Sequence, residues 1–412
     1  MKKTHQFIVT ILLCLAVISN AKAQEQHLSL DSVIARVSAN PSLEAYNAKI
    51  SAQDAYAAGA KNLDAPTISA GQYQTPYQLN PNTGSFMIQA EQMFTNPAKL
   101  KAKQSYMQGI SKVTSEDKNY LRNQLIAQAK QYYYERVVLE KKLALLQNTQ
   151  SLFEYMLKDA NIRLTYGKEK LPNIYKAKAD LYELDNTREQ LNNEISQKNI
   201  MLNTLMNRDK ATAFAVDTNY VVKEYETIIT DTSALAKSRS DIKSISRNIE
   251  LQQLNAQMEY SKRKPDFGIQ AAHMLSYGGY PNQYILMASI TIPIVPWASK
   301  GYKANLKGIQ YDVEELQQKK MDMVNQAAGQ LAGISTDIGS KKRQLKNYRQ
   351  NIIPALQNGY KTALLAYDQN TGDLPSVLDG IKDLQTARMG YLDNLQELLT
   401  LQVAYERENE SN

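Results

Sequence analysis

Four aspartates, Asp368, Asp373, Asp379 and Asp383, crowd around the stretch Asn370-Thr371-Gly372-Asp373-Leu374-Pro375. Lys168, Glu169 and Lys170 crowd around a related one, Tyr166-Gly167 followed by Leu171-Pro172. In both, a long helical pattern stops at a glycine, turns, and restarts with Leu-Pro. Glycine accepts the left-handed conformation past a helix end, and proline is tolerated in the first turn of the next helix, so each stretch reads as the tip of an α-hairpin. A carboxylate at such a restart meets the positive end of the helix dipole, which is its plainest role. The chemistry on offer is recognition of charge. For bond-making the chain supplies little: beyond residue 23 its histidines are His27 and His273, with no His-x-x-x-His pair, no phosphate-cradling glycine loop and no Gly-x-Ser-x-Gly elbow. Tyr277-Gly278-Gly279-Tyr280 reads as a strand turn, and the 13 methionines as core and strand residues in preference to a soft-metal path. No catalytic residue, cofactor or metal ligand is assigned.

The N-terminus sets the compartment. Lys2 and Lys3 precede an apolar run from Phe7 to Ile18 and then Ala21-Lys22-Ala23, the pattern of a cleaved secretion signal over residues 1–23. That run is too short to span a bilayer as a helix. Cys14, the single cysteine, lies inside it, so the processed chain has no thiol for disulfides, metal binding or nucleophilic attack. Loss of Lys2, Lys3 and Lys22 leaves 48 − 3 = 45 basic against 41 acidic residues, a surplus of +4 in place of +7. Spread along the chain, that surplus argues against a nucleic-acid partner.

The elements that carry the two tips repeat. Pro66 aligns with Pro265, Pro97 with Pro296, Gly109 with Gly308, Ile110 with Ile309 and Gln131 with Gln330 at a constant offset, which shifts only after the tips. A long unit used twice is the simplest account. The first repeat covers 24–210, with an alanine-rich helix from about Leu30 to Asn62, a β-hairpin at 66–94, a long helix at 97–166, a tip at 166–172 and a return helix. The second covers 238–412, with a hairpin at 265–294, a long helix at 300–367, a tip at 367–375 and a return helix. Residues 211–237, with the apolar pairs Val221-Val222 and Ile228-Ile229, join the halves as a compact mixed insertion around the middle of the helices.

The strands have two different faces. Phe86, Ile88 and Ala90 alternate with Met87, Gln89 and Glu91; Phe267, Ile269 and Ala271 alternate with Gly268 and Gln270; Leu286, Ala288, Ile290 and Ile292 alternate with Ser289 and Thr291. This pattern fits a half-buried soluble sheet. It equally fits a barrel with lipid outside and water inside, for which Tyr73, Tyr77, Tyr277, Tyr280 and Tyr284 would form a girdle.

The helices favour the second account. Seventy residues without proline at roughly 1.5 Å each extend roughly 105 Å, longer than an ordinary core requires. Leu139, Leu143, Leu146, Phe153, Leu157, Ala160 and Leu164 form a coiled-coil seam broken only by Gln150. The corresponding series in the second half, Ile338, Lys342, Leu345, Arg349, Ile352, Leu356, Gly359 and Ala363, is interrupted by charge, and Pro354 should bend it or open a hydrogen bond. Four strands cannot close a membrane barrel, and helices with apolar seams need neighbours, so both demands point to a ring of subunits.

Over essentially its whole processed length the chain resembles the TolC-like outer membrane efflux proteins. The resemblance rests on the two-fold repeat, one hairpin per half, the long helices, and the run Ile353-Pro354-Ala355-Leu356, Tyr367, Gly372 and Val377-Leu378-Asp379, with a weaker match at Tyr166-Gly167, Leu171, Ile174, Ala177 and Leu181. It implies a mainly α fold: long α-hairpins building a trimeric α-barrel, topped by a β-barrel with four strands per chain and twelve in the homotrimer. It implies a passive exit duct in the Gram-negative outer membrane, coupled through a periplasmic adaptor (membrane fusion) protein to an inner-membrane efflux pump. In a symmetric ring each tip carboxylate appears three times near the axis, so Asp368, Asp373, Asp379 and Asp383, with Asp373 and Asp379 foremost, become candidates for a periplasmic gate. Lys168, Glu169, Lys170, Leu171 and Leu374 are expected at exposed hairpin ends as adaptor contacts. Phe86, Ile88, Phe267, Ile269, Leu286, Ile290 and Ile292 are expected to face outer-membrane lipid. The rival account is a secreted, soluble coiled-coil scaffold or adhesin.

Overall fold

The computed structural model describes residues 26–78, 80, 82–225, 232–293 and 295–410. The leader with Cys14, Leu79 and Pro81 of the first hairpin turn, Ile228-Ile229 and Ile294 lie outside them. The described residues of 1–41, 122–230 and 328–412 form one compact unit, and those of 42–121 and 231–327 the other. No helix among them is long and apolar enough to cross a membrane.

The second of these units holds the sheet. Strands β2 (Thr67–Tyr73), β3 (Ser85–Phe94), β5 (Asp266–Ser276) and β6 (Gln283–Thr291) pair antiparallel in the order β2-β3-β5-β6, so the hairpins of the two repeats join in one sheet. Register settles the faces. Ile68 pairs with Ala90, Ala70 with Ile88, Phe86 with Leu275, Ala90 with Ala271, Phe267 with Ile290 and Ala271 with Leu286, which gathers these apolar residues of all four strands on one side, together with Gln72, Gln92 and His273. Met87 and Met274, Glu91 and Gln270, and Gly268 and Ser289 pair on the other.

Pro97 opens α3 (Pro97–Thr165) at the expected start, and Pro296 opens α7 (Pro296–Asn347) four residues before the start expected at 300. Proline suits a first turn because that N–H has no intrahelical partner. The return helices are α4 (Leu171–Leu205) and α9 (Leu374–Asn409), and α6 (Ser240–Ser261) leads into the second hairpin. One expectation is corrected. The helix expected from Leu30 to Asn62 is two, α1 (Leu30–Val37) and α2 (Pro41–Gly59). Pro41 disfavours helical geometry in the residue before it, and Asn40 in the break donates its side-chain amide to Leu205 O at 2.8 Å in a buried site.

Pro354 acts as expected and through a specific device. The second long helix passes from α7 through a π-helical turn, Tyr348–Ile352, into α8 (Ile353–Asp368). The Ile353 N–H reaches back to Tyr348 O, five residues away, and one extra residue is absorbed just where proline removes a donor. Across from it Gly390 makes room: a methyl group there would stand 2.9 Å from the Tyr348 hydroxyl.

In the first unit the segment joining the repeats threads back to the N-terminus. Strand β4 (Phe214–Val216) pairs in parallel with β1 (Gln26–Leu28), and α5 (Thr232–Ser238) follows in chain order. Val33, Val37, Tyr133, Val137, Leu202 and Phe214 pack beside this pair, and the buried Tyr133 hydroxyl donates to Leu28 O and accepts from the Asp217 N–H, both at 3.1 Å. Farther along, Glu406 accepts from Lys130 at 2.7 Å, Lys223 at 2.5 Å and the Tyr225 hydroxyl at 3.0 Å. Tyr225 stacks on Tyr405 at 4.4 Å.

Candidate functional site at the helical tips

The seam predicted on α3 builds the base of the tips. Leu139, Leu146, Phe153 and Ala160 are buried against Ile174, Ala177, Leu184 and Leu191 of α4 and Val377, Leu378 and Ile381 of α9, and Met156 joins them. At the seam's polar position Gln150 accepts from Arg188 at 3.1 Å and donates to Asp185 at 3.3 Å, so a charged layer on α4 answers it.

The two tips are closed by different residues. At the first, Gly167 takes the left-handed conformation (φ 69°), and the Lys168 N–H bonds back to Arg163 O at 2.9 Å. At the second, the left-handed residue is Asn370 (φ 57°), and the N–H groups of Thr371 and Gly372 both reach Ala366 O at 2.9 Å. The expectation that glycine terminates both helices is therefore corrected for the second. Gly372 is needed there for closeness: a methyl group at that position would lie 3.0 Å from the Ala366 methyl and 3.2 Å from the Tyr367 nitrogen.

Arg163, which the sequence pattern did not single out, ties the two tips together. Its guanidinium lies over the Tyr367 ring, 4.1 Å from the centroid, and donates to Asp159 at 2.7 Å, to Tyr367 O at 3.0 Å and to the Asn370 side chain at 3.2 Å. Burial pushes the Tyr367 hydroxyl well above its usual range, and the Asp159 carboxylate raises it further. The sequence signal for Arg163 is its place in the last turn before the first tip, where a cation suits the helix C-terminus.

The four gate candidates fall into distinct settings. Asp368 reaches Arg163 at 3.5 Å. Asp373 caps α9, accepting from the Ser376 N–H at 3.1 Å and the Ser376 hydroxyl at 2.5 Å, and these bonds hold its carboxyl below the usual range. Asp379 pairs with Lys176 of α4 at 3.3 Å. Asp383 is exposed and makes no ion pair or hydrogen bond among the described residues. No three acidic or histidine side chains among the described residues converge to hold a metal ion. A fifth aspartate, Asp180, is buried on α4 and accepts from Lys382 at 2.5 Å, forming a second bridge between α4 and α9.

Of the expected docking residues, Lys168, Lys170 and Leu171 are exposed and Glu169 is half-buried. Leu374 is a correction: it is fully buried among Ile174, Val377 and Tyr367, because the first residue of α9 turns inward beneath the tip. Between the tips lies a groove of about 600 Å³ lined by Arg163, Lys168, Glu169, Lys170, Asn370 and Asp373, among others. On the sheet, Ile88, Phe267, Ile269, Leu286 and Ile290 are exposed and share the apolar face, Phe86 on the same face is half-buried, and Ile292 is exposed just past the end of β6. Tyr77, Tyr280 and Tyr284 are exposed at the hairpin turns, and Trp297 is exposed at the start of α7.

No protein-family model matches the sequence, and no curated protein matches it either. Solved structures do. The outer-membrane channel OprN superposes with a TM-score of 0.76 at 15% identity, over 93% of this chain and 90% of that one. The outer membrane protein VceC of Vibrio cholerae gives 0.73 at 14% identity, over 92% and 95%. The MtrE outer membrane channel of Neisseria gonorrhoeae, in its open state, gives 0.69 at 14% identity, over 92% and 88%. The fold is that of the TolC-like channels which the sequence resembles, with long helices and a small sheet.

Proposed function

We propose that this chain is one third of a passive duct in the outer membrane, assembled as a homotrimer. The observation that carries the reading is the sheet. Its largely apolar face runs across four strands, with Gln72, Gln92 and His273 as its polar members, while among the described residues β2 and β6 each leave one edge unpaired. In lipid an open edge is not tolerated, so copies of the chain must pool their strands to close a barrel. The superposition over nine-tenths of solved outer-membrane channels supports this account, and no observation favours the soluble scaffold.

The finer reading is a tripartite efflux or secretion system. The tips would face the periplasm, where Lys168, Glu169, Lys170 and Leu171 meet an adaptor that couples the duct to an inner-membrane pump. Of the gate candidates Asp383 suits an axial ring best, because Asp368, Asp373 and Asp379 already have partners within the chain. Three copies of an unengaged carboxylate would favour cations at the constriction.

The test is to extract the full chain in detergent, image the particle and reconstitute it in planar bilayers. The expected result is three-fold symmetry and a conductance whose cation preference falls on Asp383→Asn. A folded monomer that needs no detergent would sink the proposal.

A further inference from the structure

The groove between the tips carries its charges unequally, and the difference points to the partner it fits. Its acidic side chains are committed inside the chain. Glu169 Oε1 accepts from its neighbour's Lys170 N–H and from the Asn173 side chain, both at 2.8 Å, and Asp373 caps α9 through Ser376. Arg163 is committed too, to Asp159, Asn370 and the Tyr367 carbonyl. Lys168 and Lys170 are not: both line the groove, both are exposed, and neither makes an ion pair or a side-chain hydrogen bond among the described residues, although the charge of Lys170 adds slightly to what holds the Asp373 carboxyl down. The start of α4 also lies at this groove, and the residue preceding it supplies no side-chain cap, whereas the start of α9 is already met by Asp373.

We infer that the groove between the tips docks a carboxylate-bearing segment of a partner protein, with Lys168 and Lys170 as the groups that recognise it. The inference rests on the reading of the tips as a docking end and adds the chemistry of what docks. A long flexible ammonium suits a carboxylate that approaches from solvent, since it supplies a point charge without a fixed fork.

The test uses the full chain in detergent at low ionic strength, with a fluorescein-labelled tetraglutamate peptide as probe and tetralysine as the opposite control. Tetraglutamate should bind, tetralysine should not, and Lys168→Glu with Lys170→Glu should weaken tetraglutamate at least tenfold. Lys264→Glu, an exposed reversal far along the sequence, should leave binding within twofold. Lys168→Ala with Lys170→Ala, checked by an unchanged melting curve, covers the case in which the reversal harms folding. A trimeric, conducting particle that ignores tetraglutamate, or binds it equally in the double variants, overturns the inference and leaves the duct standing. A soluble monomer whose lysines still capture the peptide overturns the duct and leaves the groove's chemistry.

Discussion

Arg163 stands over Tyr367, 4.1 Å from the ring centroid, and in that position bonds to the carbonyl of the same tyrosine. One side chain near the end of α3 thereby holds the end of α8. A guanidinium engaged at both its face and its edge is not replaced by an ammonium, which lacks the planar fork. Arg163→Ala removes the ring contact and hydrogen bonds to groups that are partly buried, a loss of about 2 kcal/mol locally. Amide hydrogen exchange over residues 366–372 should accelerate more than tenfold in Arg163→Ala and nearly as much in Arg163→Lys, while the β-strands keep their protection. Unchanged exchange at Thr371 and Gly372 would show that the tip closes without the arginine.

Glu406 gives the joining segment a dependence on pH. Burial pushes its carboxyl up, but hydrogen bonds from Lys130, Lys223 and Tyr225 outweigh burial and hold it below the usual glutamate range. A carboxylate whose folded pKa is depressed contributes stability that is present above its unfolded value and lost as pH falls through the folded one. Residues 218–225 should therefore loosen on acidification below about pH 4, the ordinary glutamate value. Glu406→Gln should loosen them already at neutral pH. Tyr225 reports this directly, because its ring leaves Tyr405 when the segment lifts. A near-ultraviolet signal from the tyrosines that Glu406→Gln leaves identical to the parent chain at neutral pH would contradict the assignment.

The fold was legible where one physical constraint acts alone. Pro97 opens the first long helix at its expected start because a first turn needs no donor, and Pro296 does the same for the second, four residues before the start expected at 300, while alternation assigns the sheet faces because the side-chain period is two. The seam on α3 was legible for the same reason, except that Met156 lies off its strict spacing and is buried where α4 and α9 converge. The site was harder to read because its roles depend on contacts between distant segments. Nothing near Arg163 in sequence announces Tyr367, and Asp373 and Asp379 look alike as exposed aspartates until Ser376 and Lys176 are seen beside them. Leu374 shared its place next to proline with the exposed Leu171, yet it turns inward, since only the second tip brings its first helical residue under Tyr367.

Gly390 and Tyr348 test the π-turn. A methyl group at 390 would stand 2.9 Å from the tyrosine hydroxyl and 3.3 Å from its ring, and the flexible end of the ring can give way only by leaving the turn it fills. Gly390→Ala should gain some helix propensity in α9 and lose about 1–3 kcal/mol to overpacking, a net destabilisation. Removing the ring with Tyr348→Ala should reverse the sign, making alanine at 390 neutral or favourable. The double-mutant cycle reads this as a coupling of at least about 1 kcal/mol. Additive effects would mean that the glycine is not there for the tyrosine.

The apolar face of the sheet gives the last prediction, which separates lipid from a protein partner. Leu286 is 71% exposed and pairs with Ala271 in the middle of β5, so both lie at the centre of the face. If that face meets hydrocarbon, Leu286→Arg should cost about 2–4 kcal/mol of insertion, while the same change at Tyr284, nearer the hairpin turn, should cost about 0–1 kcal/mol, because the penalty falls with distance from the bilayer midplane. Ser289→Arg, on the opposite face, should insert normally and alter only conductance. Measured as the fraction of chain recovered in outer membranes, the three variants should rank Leu286→Arg lowest, with the other two close to the parent. A protein covering the face would make Tyr284 and Leu286 comparably sensitive, and equal recovery of both would exclude hydrocarbon as the covering medium.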